Sequence, residues 1–364
     1  MRELTPAEVT RPGEYIKMEL EARGWTQTDL AEILGRAVQT VSDLINGKCG
    51  VTPETATGLA AAFGTTAQVW MNLQTSYDLW HANKRANTEE VSRRARLYDL
   101  APVSQMAKRG WIERSDDLEV LEQRVLGFYG NGGFEEKSKL AQMPSITVRA
   151  WLFRAKQLAR MVHARMFTDA SLDRILAELK PLRRSPEGLK LISGILAEGG
   201  VRFLIIEPLP SANVDGATLW LDSQSPIIAL SVRHDRIDRF WQSLMHELWH
   251  VGRREGDQWQ DLFGASGEER PGTGEPVDVF ADDFLVPSDA LDQFMARTRP
   301  FYSKQKIIRF AEEIGVHPGI VVGQLHRRKE ISGSQSRDLV VKVRSIVTES
   351  ALTDGWGHLL PAGL

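Results

Sequence analysis

The stretch WQSLMHELWHVGR, residues 241–253, places His246 and His250 four apart with Glu247 beside the first histidine. On a helix, positions i and i+4 share a face one turn apart, so the two imidazoles would present a pair of nitrogens to one metal ion. Zinc held by two histidines needs a third protein ligand and keeps an open position for water. The chemistry expected of such a centre is metal-assisted hydrolysis of a peptide bond, with Glu247 taking the proton of the attacking water. One Zn2+ per chain is the expected cofactor. The third ligand is sought downstream, in GTGEPVDVFADDFLVPSDAL, where Glu275 precedes Pro276 at an expected helix start. Glu275 is the first choice, with Asp278 and Glu269 as alternatives. The other member of the 275/278 pair would orient a histidine through its second ring nitrogen. Arg233, His234, His317 and His326 are candidate donors to an oxyanion, and the sequence does not rank them.

A histidine pair works only if something rigid carries it. The runs VRFLIIEPLP and ATLWLDSQSPIIALSVR are rich in β-branched and aromatic residues and bounded by Pro, Asn, Asp and Gly, which predicts two or three strands of a small sheet. The motif helix follows directly, with Ile237, Phe240, Trp241, Leu244 and Leu248 on its apolar face. An α+β domain with this helix packed on the sheet is expected. Further helices are expected upstream, in VRAWLFRAKQLARMVHARM and SLDRILAELKPLRRSPEGLKLISGILAEGG. Trp151, Leu152, Leu158 and Met161 read as core. Residues 145–184 carry nine Lys or Arg against three acids, which reads as a solvated helical face.

The first 85 residues have a different grammar. Short helical segments alternate with Gly, from GEYIKMELEARG through TTAQVWMNLQTSYDLW, and predict five helices. Thr26 caps one with Asp29 three residues on, Gly35 closes it, and the pattern restarts at Ala37 after a turn of two or three residues. That is helix-turn-helix spacing, and the second helix of such a pair lies in the DNA major groove. Its outward residues are Gln39, Thr40 and Ser42, flanked by Arg36 and Lys48; glutamine can read adenine, and hydroxyls can meet bases or phosphates. The charge balance opposes this reading, because residues 1–85 hold eight Lys or Arg and ten acids. A dimer that concentrates Arg36 and Lys48 on one face resolves the conflict. A helical bundle used only for assembly is the alternative.

Length and composition bound the whole. A chain of 364 residues with 42% hydrophobic content can fill two or three domain cores. No run approaches the roughly 18 apolar residues of a membrane span, and the N-terminus lacks an apolar signal core, so a cytoplasmic protein is expected. The single cysteine, Cys49, excludes an internal disulfide and leaves metal binding to His and carboxylates. The expected organisation is multidomain: an all-α helix-turn-helix domain at 1–85, a helical linker at 86–144, an α+β zincin-like domain at 145–335 and a C-terminal tail at 336–364. The linker is interrupted at Pro102 and at 131–133, and carries Arg93, Arg94 and Arg96.

Two resemblances sharpen these expectations. RPGEYIKMELEARGWTQTDLAEILGRAVQTVSDLINGKCGVTPETATGLAAAFGTTAQVWMNLQTSYDL resembles the DNA-binding domain of HigA-type antitoxins, within the Cro/C1 superfamily. The resemblance implies a homodimer that binds operator DNA, represses transcription and pairs with a cognate toxin. VDGATLWLDSQSPIIALSVRHDRIDRFWQSLMHELWHV together with EPVDVFADDFLVP resembles the ImmA/IrrE metallopeptidases. That resemblance implies zinc-dependent cleavage, commonly of a transcriptional repressor. His246, Glu247 and His250 match its motif directly, whereas Pro276 and Val277 depart from it around the third ligand. Two functions follow: a repressor carrying an active peptidase domain that cleaves itself or a regulatory partner, or an antitoxin-type repressor whose peptidase-like domain only binds a ligand or toxin.

Overall fold

The computed structural model describes residues 9–85, 88–130, 145–255 and 275–355. The chain forms two compact units, Met1–Arg94 and Ala95–Leu364.

The first unit has the five expected helices: α1 (Pro12–Arg23), α2 (Gln27–Leu34), α3 (Val38–Ile45), α4 (Pro53–Phe63) and α5 (Ala67–Arg85). Local chemistry sets their ends. Thr26 and Asp29 form a reciprocal capping box on α2, the Thr26 hydroxyl accepting from the Asp29 N–H and the Asp29 carboxylate from the Thr26 N–H. Gly35 closes α2 at φ 61°, a left-handed conformation that a side chain would resist. Thr52 caps α4, Pro53 begins it and Gly64 ends it. Ile16, Leu30, Val41, Ile45, Leu59 and Trp70 fill one buried core, and the Trp70 indole donates to Thr65 Oγ1 at 2.8 Å.

The second unit is built on a four-stranded sheet: β1 (Arg202–Ile205), β2 (Gly216–Trp220), β3 (Pro226–Leu230) and β4 (Leu352–Thr353), in the order β2-β3-β1-β4. β2 and β3 are antiparallel, and β1 runs parallel to both β3 and β4. Alternation along β1 sends Phe203 and Ile205 to one face and Leu204 to the other. On the first face the helix Ile237–Gly252 lays down Ile237, Phe240, Trp241, Leu244 and Leu248, all buried. On the second, the helix Ile146–Ala159 brings Trp151 and Leu152, joined by Leu97, Met106, Leu121 and Val125 from the helices before it. A sheet buried on both faces reads as unbroken apolar runs, which β3 illustrates.

Three expectations are corrected here. The described residues of 86–144 are no linker from Leu97 onward, because a sheet apolar on both faces needs a second cover and these helices supply it. The segment 336–355 is no tail: β4 extends the sheet, Val343, Val347 and Ala351 are buried in the core, and Asp354 forms a buried ion pair with Arg109. Met161 is 53% exposed because its helix stops at Ala159 before the apolar face reaches it. Among the described residues, no helix is long and apolar enough to cross a membrane.

Candidate functional site

The first unit presents α3 after a three-residue turn. Val41, Leu44 and Ile45 anchor one side in the core, leaving Gln39 exposed and Thr40 and Ser42 half-buried on the other. Arg36 and Lys48 are both exposed at its flanks. Two residues that the sequence did not single out shape this surface. Asp43 accepts from Gln39 Nε2 at 2.8 Å and lies 3.7 Å from Lys48 Nζ, so one carboxylate ties down two of the expected DNA-contacting side chains. The Arg11 side chain lies beside Gly47, next to Lys48, and adds a second cation to this end of α3. Position i+4 on a helix was the available signal for Asp43. The loop after α3 is fixed from α5, where Gln74 Oε1 accepts from the Val51 N–H at 2.8 Å. Cys49 is free and exposed.

In the second unit, His246, Glu247 and His250 sit mid-helix and buried, at 6%, 0% and 8% exposure. The two Nε2 atoms face each other at 3.2 Å. Tetrahedral zinc bonded to two imidazoles at about 2.0–2.1 Å separates their nitrogens by about 3.3 Å, so the pair fits two ligand positions. The far nitrogen of His250 is held as well: Nδ1 lies 3.0 Å from Glu255 Oε2. This is the carboxylate–histidine arrangement that frees Nε2 for a metal, and it comes from Glu255, five residues along the chain, and not from the 275/278 pair. Hydrogen bonding from Arg253 first, and from His250 as well, holds Glu255 below the usual carboxylate range, so it remains an acceptor.

Glu247 points at β2. Its Oε2 accepts from Thr218 Oγ1 at 2.8 Å, and that hydroxyl also lies 2.9 Å from the Glu247 carbonyl oxygen. Gly216 makes room for it: a Cβ there would come within 2.8 Å of Glu247 Oε1 and 2.7 Å of a Leu230 methyl.

The expected third ligand occupies a different setting. Glu275 is exposed at the N-cap of the helix Pro276–Leu285, and Asp278 lies in its first turn. That helix packs along the motif helix, with the Trp249 and Phe280 rings 5.3 Å apart. Among the described residues, no group of three His, Cys, Asp or Glu converges as a metal cage. Glu269 lies outside the described residues. The four candidate oxyanion donors have other partners. Arg233 and His234 both bond Asp215; burial would raise that carboxyl, and the two bonds outweigh it and hold it low. His317 Nδ1 accepts from the Gly319 N–H as a helix cap, and His326 Nε2 lies 3.0 Å from the Gln335 carbonyl.

Comparison with known proteins places similarity in the first unit. The helix-turn-helix family matches residues 16–70. Antitoxin HigA-1 of Vibrio cholerae is 45% identical over 78 residues, covering 21% of this chain and 73% of that protein. An uncharacterised helix-turn-helix transcriptional regulator of Escherichia coli, YddM, is 37% identical over 87 residues, covering 24% of this chain and 89% of the relative. A solved Pseudomonas aeruginosa antitoxin HigA, determined with the higBA promoter, is 31% identical over 22% of this chain and 90% of its own, with a TM-score of 0.22.

Proposed function

This chain belongs, through its first unit, to the HigA-like helix-turn-helix transcriptional regulators, and from that premise we propose that it is an operator-binding repressor of antitoxin type whose second unit is a zinc peptidase domain of ImmA/IrrE kind. The observation that carries the first half is the α2–turn–α3 geometry, with Gln39, Thr40 and Ser42 outward and Arg11, Arg36 and Lys48 around them. Operator symmetry calls for a homodimer, which sets two copies of the Arg11, Arg36 and Lys48 cluster on the DNA-facing side and so makes that face cationic despite the acidic balance of residues 1–85. A cognate toxin is the natural protein partner of such a repressor.

The second half rests on the 3.2 Å approach of the two Nε2 atoms. His246 and His250 would hold the ion, with a carboxylate from Glu275 or Asp278 completing the set. Bound there, zinc supplies Lewis acidity toward a peptide carbonyl and activates water near neutral pH. Glu255 fixes the His250 tautomer from behind, and Glu247 offers a carboxylate as proton acceptor while Thr218 sets its orientation. The substrate is the chain itself or a regulatory partner protein. One observation favours a second reading, a non-catalytic module that binds a ligand or toxin: Glu247 is fully buried and committed to Thr218.

Metal content of protein purified without added metal tests the metal centre, and anisotropy of a labelled fragment of its own promoter tests the repressor. Stoichiometric zinc in the wild type and loss in His246→Ala and Glu275→Ala support the centre as drawn. Zinc lost only in His246→Ala moves the third ligand elsewhere. Zinc absent from the wild type after reconstitution removes the peptidase. Cleavage of a candidate repressor abolished by Glu247→Gln separates the active reading from the binding module. Promoter binding insensitive to Arg36→Ala and Lys48→Ala would refute the DNA interface.

A further inference from the structure

A cleft of about 680 Å3 opens beside the N-terminal end of the motif helix, a volume within the range that takes small molecules. Its walls are cationic: Arg236 and Arg239 come from the helix start, His326, Arg327 and Lys329 from the end of the helix Pro318–Arg327 and just past it, and Arg337 from the short 3-10 helix Arg337–Leu339. Among the described lining residues the acids are Asp238 and Glu330, and both are engaged. Arg236 grips Asp238 with two bonds of 3.1 and 2.8 Å, while Arg299 and Tyr302 hold Glu330. Arg327 lies deep in the wall, 10% exposed and paired with Asp282. At the rim, Lys329 and Arg337 are exposed and, among the described residues, have no ion-pair partner. Lys329 also has φ 57° just past a helix end, where glycine is the ordinary residue. That backbone cost sets an ammonium at the mouth of an already positive cleft, and low-dielectric walls focus such a field on an incoming anion.

We propose that this cleft binds a phosphate-bearing small molecule of nucleotide size, with Lys329 and Arg337 meeting its phosphates at the rim and Arg327 at the back. The inference does not depend on the metal reading, although it bears on the same helix. Arg239 and His246 stand seven residues apart on that helix, about 10 Å along its axis. Arg327 also restrains Asp282 on the helix Pro276–Leu285, which packs on the motif helix. A phosphate that competes with Asp282 for Arg327 alters the tie between the cleft and the helix that follows Glu275. Occupancy would thereby reach the surroundings of the histidine pair without contacting it.

Isothermal titration calorimetry of the full chain with inorganic pyrophosphate, and separately with ATP, both without added magnesium, tests this. The expected result is saturable binding of both probes at a single site per chain. The double variant Lys329→Ala/Arg337→Ala should weaken it at least about tenfold, because two charge-assisted contacts are lost. Both side chains are exposed, so the variant's thermal unfolding should match the wild type. Arg36→Ala/Lys48→Ala should leave binding unchanged, separating this cleft from the DNA surface. No saturable heat up to millimolar probe, or affinity unchanged in the rim variant, overturns the proposal. Loss of duplex DNA binding in the rim variant with no effect on pyrophosphate would assign the cleft to nucleic acid, and would overturn it equally.

Discussion

Replacing Thr218 with valine keeps the shape of the side chain and removes a hydroxyl that bonds Glu247. In the wild type that hydroxyl donates to Glu247 Oε2 at 2.8 Å, where both residues are buried. Removing the donor leaves a buried acceptor short of a hydrogen bond, at a cost of about 1–3 kcal/mol. The β-branched shape still suits β2, so the packing change is small. For a unit of this size the loss corresponds to a fall in Tm of about 2–5 °C. Differential scanning calorimetry of the full chain reads it, with Thr218→Ser as the control that keeps the hydroxyl. The serine variant should lie between wild type and valine, losing only a methyl contact. Equal Tm values for the serine and valine variants would refute the reasoning, because the hydroxyl would then contribute nothing to holding Glu247.

The other expectations are more local. Lys48→Ala should lower the slope of log K against log salt for promoter binding by about 2, one phosphate contact per subunit of a dimer, whereas Asp43→Ala, which releases both Gln39 and Lys48, should tighten binding; fluorescence anisotropy across a salt series reads both. Thr26→Ala breaks the capping box on α2 and should cost the first unit about 1 kcal/mol in urea unfolding, with promoter affinity falling alongside as α3 loses its support. Burial pushes the His317 imidazole down, so the folded state favours its neutral form and binds fewer protons than the unfolded chain. The stability this supplies is present above the ordinary histidine pKa and is lost as pH falls through and below it. His317→Asn, which can still cap its helix, should flatten the fall in unfolding midpoint between about pH 8 and about pH 5; a curve parallel to wild type would assign the pH dependence to other groups.

What was legible in the sequence was short in range. Thr26 with Asp29, Gly35, and Pro53 with Gly64 each set a helix end through contacts within a few residues, and the five helices of the first unit follow from them. The His246–His250 bite is likewise a property of one helix turn. What stayed hidden was paired across distance. Thr218 serves Glu247 from a strand, and Asp235 accepts from the Val343 and Arg344 N–H groups more than a hundred residues away. No periodicity announces a two-residue strand such as β4, whose meaning lies entirely in its partner Leu204. The helices between residues 88 and 130 read as a connector in the sequence; only a sheet with two buried faces gives their apolar residues a destination.

β4 also gives the molecule a schedule. Its residues leave the ribosome about 270 residues after α5, so the sheet of the second unit cannot acquire its last strand, nor Arg109 its buried partner Asp354, until synthesis has run on for about 15–50 s. The first unit draws its core from within itself and needs none of that sequence. A nascent chain can therefore carry a finished first unit while the helix of His246 and His250 still lies on an incomplete scaffold, so the two halves of the molecule are completed in sequence.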